Sequence, residues 1–171
     1  FAGPDLGDTI LGGGGNDQLY GGSGTDTLTG GAGDDFLHLY DGANDSIDGG
    51  DDLDTLDISC SGWTTGITID ISSGGGGSDI GNGTRISNIE VLMFQGTSRA
   101  DAATGGDLAD VLFGFSGNDT LQGGLGADRL AGGQGADAFV YTSIQDSHSD
   151  TGQDIIVDFE TGADKIDLSR T

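Results

Sequence analysis

Asp recurs at every ninth residue along two stretches of the chain, at Asp8, Asp17, Asp26 and Asp35 and again at Asp101, Asp110, Asp119, Asp128 and Asp137, each time just behind glycines. Carboxylates together with backbone carbonyls are hard oxygen donors of the kind Ca2+ takes. The composition asks for such an ion. Of 171 residues, 29 are acidic and five are Lys or Arg, a net charge of -24, and only 33% are hydrophobic. A chain this apolar-poor cannot offset both its conformational entropy and its self-repulsion by burial alone, so something has to neutralise the carboxylates.

Other chemistries find little support. There is no H-E-x-x-H, no G-x-S-x-G, no Walker lysine and no pair of Glu acids, so the chain is expected not to be an enzyme. His38 and His148 stand alone, and His38, at an outward-facing position of its repeat, is predicted to be a surface residue. Five scattered basic residues offer no stripe for phosphates, which disfavours nucleic acid. No apolar run approaches the roughly 18 residues of a membrane span. Cys60, the one cysteine, excludes a disulfide framework and reads as a small buried hydrophobe. A chain that begins at Phe1, without initiator Met or leader, reads as a fragment or a processed product.

The acids belong to a nonapeptide, G-G-x-G-x-D-x-U-x with U apolar, strict in Gly12 to Tyr20, Gly21 to Thr29, Gly30 to His38, Gly123 to Ala131 and Gly132 to Val140. Gly114 to Gln122 differs only by Phe115, and weaker copies flank both blocks, one of them in frame only after an insertion at Leu39. Glycines at positions 1, 2 and 4 permit a tight turn with positive φ. Positions 7 to 9 make a short strand whose single inward residue is position 8: Leu19, Leu28, Leu37, Leu56, Leu112, Leu121, Leu130 and Phe139. Two nonapeptides make one coil, so repeats n and n+2 stack in parallel and Asp8 falls over Asp26, Asp17 over Asp35. Two bare carboxylates ~5 Å apart repel by roughly 3 kcal/mol at an effective dielectric of 20, and a cation between them reverses the sign.

These residues resemble the RTX (repeats-in-toxin) nonapeptide proteins, and the repeat blocks cover roughly three fifths of the chain. The resemblance implies an all-β fold, a right-handed parallel β-roll with several calcium ions between its turns. It assigns the metal to Asp8, Asp17, Asp26, Asp35, Asp45 and Asp54 in the first block and to Asp101, Asp110, Asp119, Asp128 and Asp137 in the second. The turn glycines Gly13, Gly15, Gly22, Gly24, Gly31, Gly33, Gly117, Gly124, Gly126, Gly133 and Gly135 would supply carbonyls. Leu6, Asp52 and Arg99 interrupt position 4, so their turns are expected to be open, metal-poor or capping.

Four segments follow: a first roll block (1–57), a strand-rich spacer (58–95) with alternating Ile67, Ile69 and Ile71, a second block (96–140) and a capping segment (141–171). Trp63, Met93 and Phe94 in the spacer are candidates to line a ligand groove. In the cap, alternating Ile155, Val157 and Phe159 predict a strand covering the open end of the roll. Asp146, 18 residues after Asp128, and Asp154, 17 after Asp137, are each candidates to complete a last metal site. The tail GGQGADAFVY…DIIVDFETGADKIDLS resembles the end of the roll in serralysin-like metalloproteases. The resemblance implies a secreted, extracellular module of a bacterial protein, folding on Ca2+ after type I secretion and stabilising an upstream domain. The alternative is a surface- or polysaccharide-binding module of an RTX adhesin or epimerase-like exoprotein.

Overall fold

The computed structural model describes residues 6–42, 44–73, 78–148 and 152–168. No helix occurs among them. The strands are β1 (Thr9–Gly14), β2 (Gln18–Tyr20), β3 (Ser23–Gly24), β4 (Thr27–Ala32), β5 (Phe36–Leu39), β6 (Asp41–Gly42), β7 (Ser46–Asp51), β8 (Thr55–Ser59), β9 (Thr68–Asp70), β10 (Ser78–Asp79), β11 (Arg85–Ser87), β12 (Val91–Gln95), β13 (Ala102–Thr104), β14 (Val111–Phe113), β15 (Thr120–Gln122), β16 (Arg129–Ala131), β17 (Ala138–Val140), β18 (Ile155–Ile156) and β19 (Lys165–Asp167).

Consecutive repeats alternate between two faces, and strands pair in parallel one coil apart. Thr9 lies beside Thr27 and Gln18 beside Phe36, which is the 18-residue register two nonapeptides require. One face is a single sheet of seven strands in the order β18-β16-β14-β12-β8-β5-β2. The other is divided into β1-β4-β7-β11-β10 and β19-β17-β15-β13-β9. Every position-8 residue named above is fully buried between the faces. This is a parallel β-roll, and its core is one column of inward side chains per face. Leu39, the inserted residue, continues β5 beside Ile58 and is buried too.

The non-repetitive residues extend both faces. After β8 the chain crosses to β9, which starts the second divided sheet against β13, and then returns to β11, which closes the first against β7. β10 folds back on β11 as the antiparallel pair among the named strands. β12 rejoins the continuous face, with Val91 beside Thr55 on one side and Met93 beside Val111 on the other. Phe94 is fully buried and Trp63 packs partly buried against the core, while Met93 lies on the alternate, outward register of β12. These three do not share a groove.

Two expectations are corrected. His38 does point outward, yet it is only 8% exposed, because Asp57 pairs with its Nδ1 at 2.8 Å and the Tyr20, Phe36 and Tyr40 rings surround it. In the last segment the residue facing inward is Ile156, registered on Leu130, so Ile155, Val157 and Phe159 are exposed at 57%, 40% and 41%. β18 and β19 form the last coil instead of a strand laid across the end.

Candidate metal centres along the turns

Each repeat turn ends in an Asp that is locked into the next coil through its main chain and one carboxylate oxygen. The backbone N–H of Asp8 donates to Asp26 Oδ1 at 2.8 Å, Asp17 to Asp35 at 2.8 Å, Asp26 to Asp45 at 2.8 Å and Asp35 to Asp54 at 2.9 Å. Asp101, Asp110 and Asp119 repeat the bond to Asp119, Asp128 and Asp137, each at 2.8 Å. The Asp carbonyl in turn accepts the N–H of the strand residue one coil on, as in Thr27 to Asp8 at 2.8 Å. The carboxylates therefore stack in columns along the two edges of the roll.

The second oxygen is where the turns differ. In Asp8, Asp17, Asp26, Asp35, Asp54, Asp119, Asp128, Asp137 and Asp154, Oδ2 is buried and accepts no hydrogen bond. A buried carboxylate oxygen without a donor is expensive, and nine in register call for a cation. Burial pushes the carboxyls up first, and neighbouring carboxylates push them further: Asp119 and Asp128 to about 7, Asp54 to about 6, with Asp137 and Asp154 also raised. Backbone N–H donors oppose the rise without cancelling it.

Other carboxylates are satisfied by the chain. Asp101 Oδ2 accepts the Thr97 N–H at 2.7 Å, Asp110 Oδ2 the Gly106 N–H at 2.7 Å, and Asp146 Oδ2 the N–H groups of Thr142 and Ser143 at 2.7 and 3.0 Å. Asp45 Oδ2 accepts the Thr84 hydroxyl at 3.1 Å. Burial still pushes Asp110 up to about 6 and raises Asp45.

Backbone conformation follows that division only in part, since Asn44, just before the chain-satisfied Asp45, also has positive φ at +66°. All eleven turn glycines assigned above have positive φ, from +87° at Gly22 to +150° at Gly135. Asp52 at position 4 and Phe115 at position 2 adopt it too, at +78° and +72°, so the Asp52 turn keeps the strict conformation. The Arg99 turn does not, and it is the one that closes on Asp101.

The final coil departs from the sequence reading. Asp128 donates its N–H to Asp154 Oδ1 at 3.1 Å, and Asp137 donates to Asp164 at 3.0 Å. Asp154 therefore stacks on Asp128, not on Asp137, because the last coils run 26 and 27 residues instead of 18. Asp146 lies in the inserted residues and caps its own turn. Asp164 went unrecognised, although 27 residues is three nonapeptides and GADKI keeps the G-x-D-x-U frame. Asp158, whose carboxylate accepts the Gly132 and Gly133 N–H groups at 3.1 and 2.8 Å, had no such signal.

Position 1 carries a constraint of its own. A Cβ on Gly12 would lie 2.8 Å from Asp17 Oδ2 and 2.6 Å from the Gly30 carbonyl oxygen, and one on Gly96 would lie 2.6 Å from Asp101 Oδ2. Only glycine leaves room for the acid of its own repeat.

Among the described residues no three His, Cys, Asp or Glu side chains converge as a ready cage. One acid per coil on each edge cannot do so, and a site here draws on main-chain carbonyls as well, as Ca2+ sites commonly do. The family model of the RTX calcium-binding nonapeptide repeat matches in four copies, over residues 5–37 and 96–139. The chain carries RTX repeats. Over those residues it matches a repeat whose family binds calcium, and the unpartnered oxygens are the chemistry such an ion needs. No curated protein matches the chain.

Proposed function

We propose that this RTX roll is a non-catalytic folding module of a secreted protein, extended while calcium is scarce and condensed once the ion is plentiful. The observation that supports it is the set of nine buried, unpartnered Asp Oδ2 atoms among the described residues. Without a cation each is a desolvated charge facing others of its sign, while a bound Ca2+ supplies the positive charge and coordination these oxygens lack. Binding free energy is then folding free energy. Extracellular calcium modules work at roughly 10^-4 to 10^-3 M, which suits a chain exported unfolded by a type I system and a roll that afterwards stabilises the domain it is joined to.

Circular dichroism with isothermal titration calorimetry tests this. In excess EGTA at neutral pH most of the β signal should be lost, and millimolar Ca2+ should restore it with measurable heat. An unchanged spectrum in chelator, or no calcium binding, contradicts the reading.

A further inference from the structure

We propose that the roll is divided by a segment that folds without metal, running from β8 to β14, and that calcium loads two separate columns of turns outward from it. This rests on the folding-module reading above and says where in the chain that reading does not apply.

The acids themselves mark the division. On one edge the run of unpartnered oxygens at Asp8 and Asp26 stops at Asp45, whose Oδ2 takes the fully buried Thr84 hydroxyl. On the other edge Asp54 donates its N–H to Glu90 Oε2 at 2.9 Å, and Glu90 is not part of a repeat. Toward the far end of the segment, the first two turns of the second block are closed on themselves through Asp101 and Asp110. Unpartnered oxygens resume only at Asp119 and Asp128. From Thr84 to Asp110 the chain therefore meets its own polar needs along both edges.

The interior agrees. Among the described residues from Ile58 to Phe94 ten apolar side chains are buried, Ile67, Ile69, Ile71, Ile86 and Leu92 among them. Residues 96–140 bury six, and two of those are alanines. The described residues of the first block bury seven over a longer stretch, so the middle segment has the densest apolar interior, the kind of burial that holds coils without ions. A step in register also interrupts the continuous face. Asp54 and Glu90 lie at the level where Val91 pairs with Thr55, but Leu92 donates to Asp110 at 2.6 Å and Met93 pairs with Val111. The second row of acids is thus displaced by two residues, about 6.6 Å, and the two rows cannot share an ion across the step.

Hydrogen–deuterium exchange on the full chain tests both parts. In EGTA, amides of β8, β12, β13 and β14 should exchange at least about 100-fold more slowly than a coil, while those of β1, β2, β4 and β16 exchange freely. During a Ca2+ titration, Asp35→Asn should raise the protection midpoint of the first block about tenfold or more and leave that of residues 114–140 within about twofold. Asp119→Asn should do the converse. Uniform coil-like exchange in EGTA, or protection confined to β18 and β19, overturns the metal-independent segment while leaving calcium-driven folding in place. A single midpoint moving together in both variants overturns the separate columns. Absence of any amide responding to calcium removes the folding-module reading itself, and this inference with it.

Discussion

Residues 1–57 hold thirteen Asp and no Lys or Arg, whereas residues 58–95 hold Asp70, Asp79 and Glu90 against Arg85. The two regions nonetheless share one sheet, in which β5 hydrogen-bonds β8 and β8 hydrogen-bonds β12. The backbone ladder is the same on both sides of Ile58, and so is the inward alternation. What changes is the source of stability. The repeats give up side-chain bulk to glycine turns and leave buried carboxylate oxygens without a donor, while the middle segment fills its interior with isoleucine.

Protons offer the severest test of this contrast. Asp119 and Asp128 sit at about 7 and Asp54 at about 6, against 3.8 for the free side chain. A raised folded-state pKa contributes stability that is complete below 3.8 and is lost as pH rises through the folded value. In chelator, the repeat blocks should therefore regain much of their β signal on going from pH 8 to about pH 5, because acid does part of the work of calcium. With calcium present the trend reverses, and affinity should fall below about pH 7 as protons compete. Circular dichroism across pH with and without EGTA checks both directions.

Removing interior bulk from the middle segment comes next. Phe94→Ala should cost about 3–5 kcal/mol in urea unfolding, and the loss should be as large in chelator as in calcium. A loss seen only with calcium would erase the difference between the regions. Smaller again is the contrast between two kinds of Asp: Asp128→Asn should weaken calcium binding about tenfold or more, and Asp101→Asn, whose carboxylate takes the Thr97 N–H, should change it less than about twofold. Titration calorimetry separates them. The smallest effect is Gly14→Ala, whose added methyl meets nothing within 4 Å and should stabilise by about 0.4–1 kcal/mol. Gly30→Ala, colliding with Asp35 and the Gly49 carbonyl, should instead destabilise.

The nonapeptide made the register, the inward leucines and the Asp columns readable in advance, because a strict period of nine with one apolar position leaves a single way to stack. Where the period fails, so does the reading. Nothing in residues 58–95 announces that β9 joins its sheet before β11 completes the other, since alternating isoleucines fix a face but not a neighbour. The last coils were misread because the insertion after Tyr141 breaks the count, so that counting back from Asp154 gave the wrong partner. Of the chain-satisfied turns, Arg99 marks the one at Asp101 as open, metal-poor or capping, but nothing in the sequence marks the one at Asp110. Thr97 and Gly106 both donate a main-chain N–H, a bond that depends on φ and not on residue type. His38 was misjudged because an outward position on a strand is not an exposed one when three aromatic rings flank it.

The undivided seven-stranded face bears on mechanics. Cross-strand bonds run along that side from β2 to β18, while on the opposite side they are interrupted between β10 and β9. A rod laced along one flank and parted on the other is stiffer in one direction than in the other. Its compliance lies at the seam beside the spacer, so the two repeat blocks can tilt relative to each other while the spine keeps them joined.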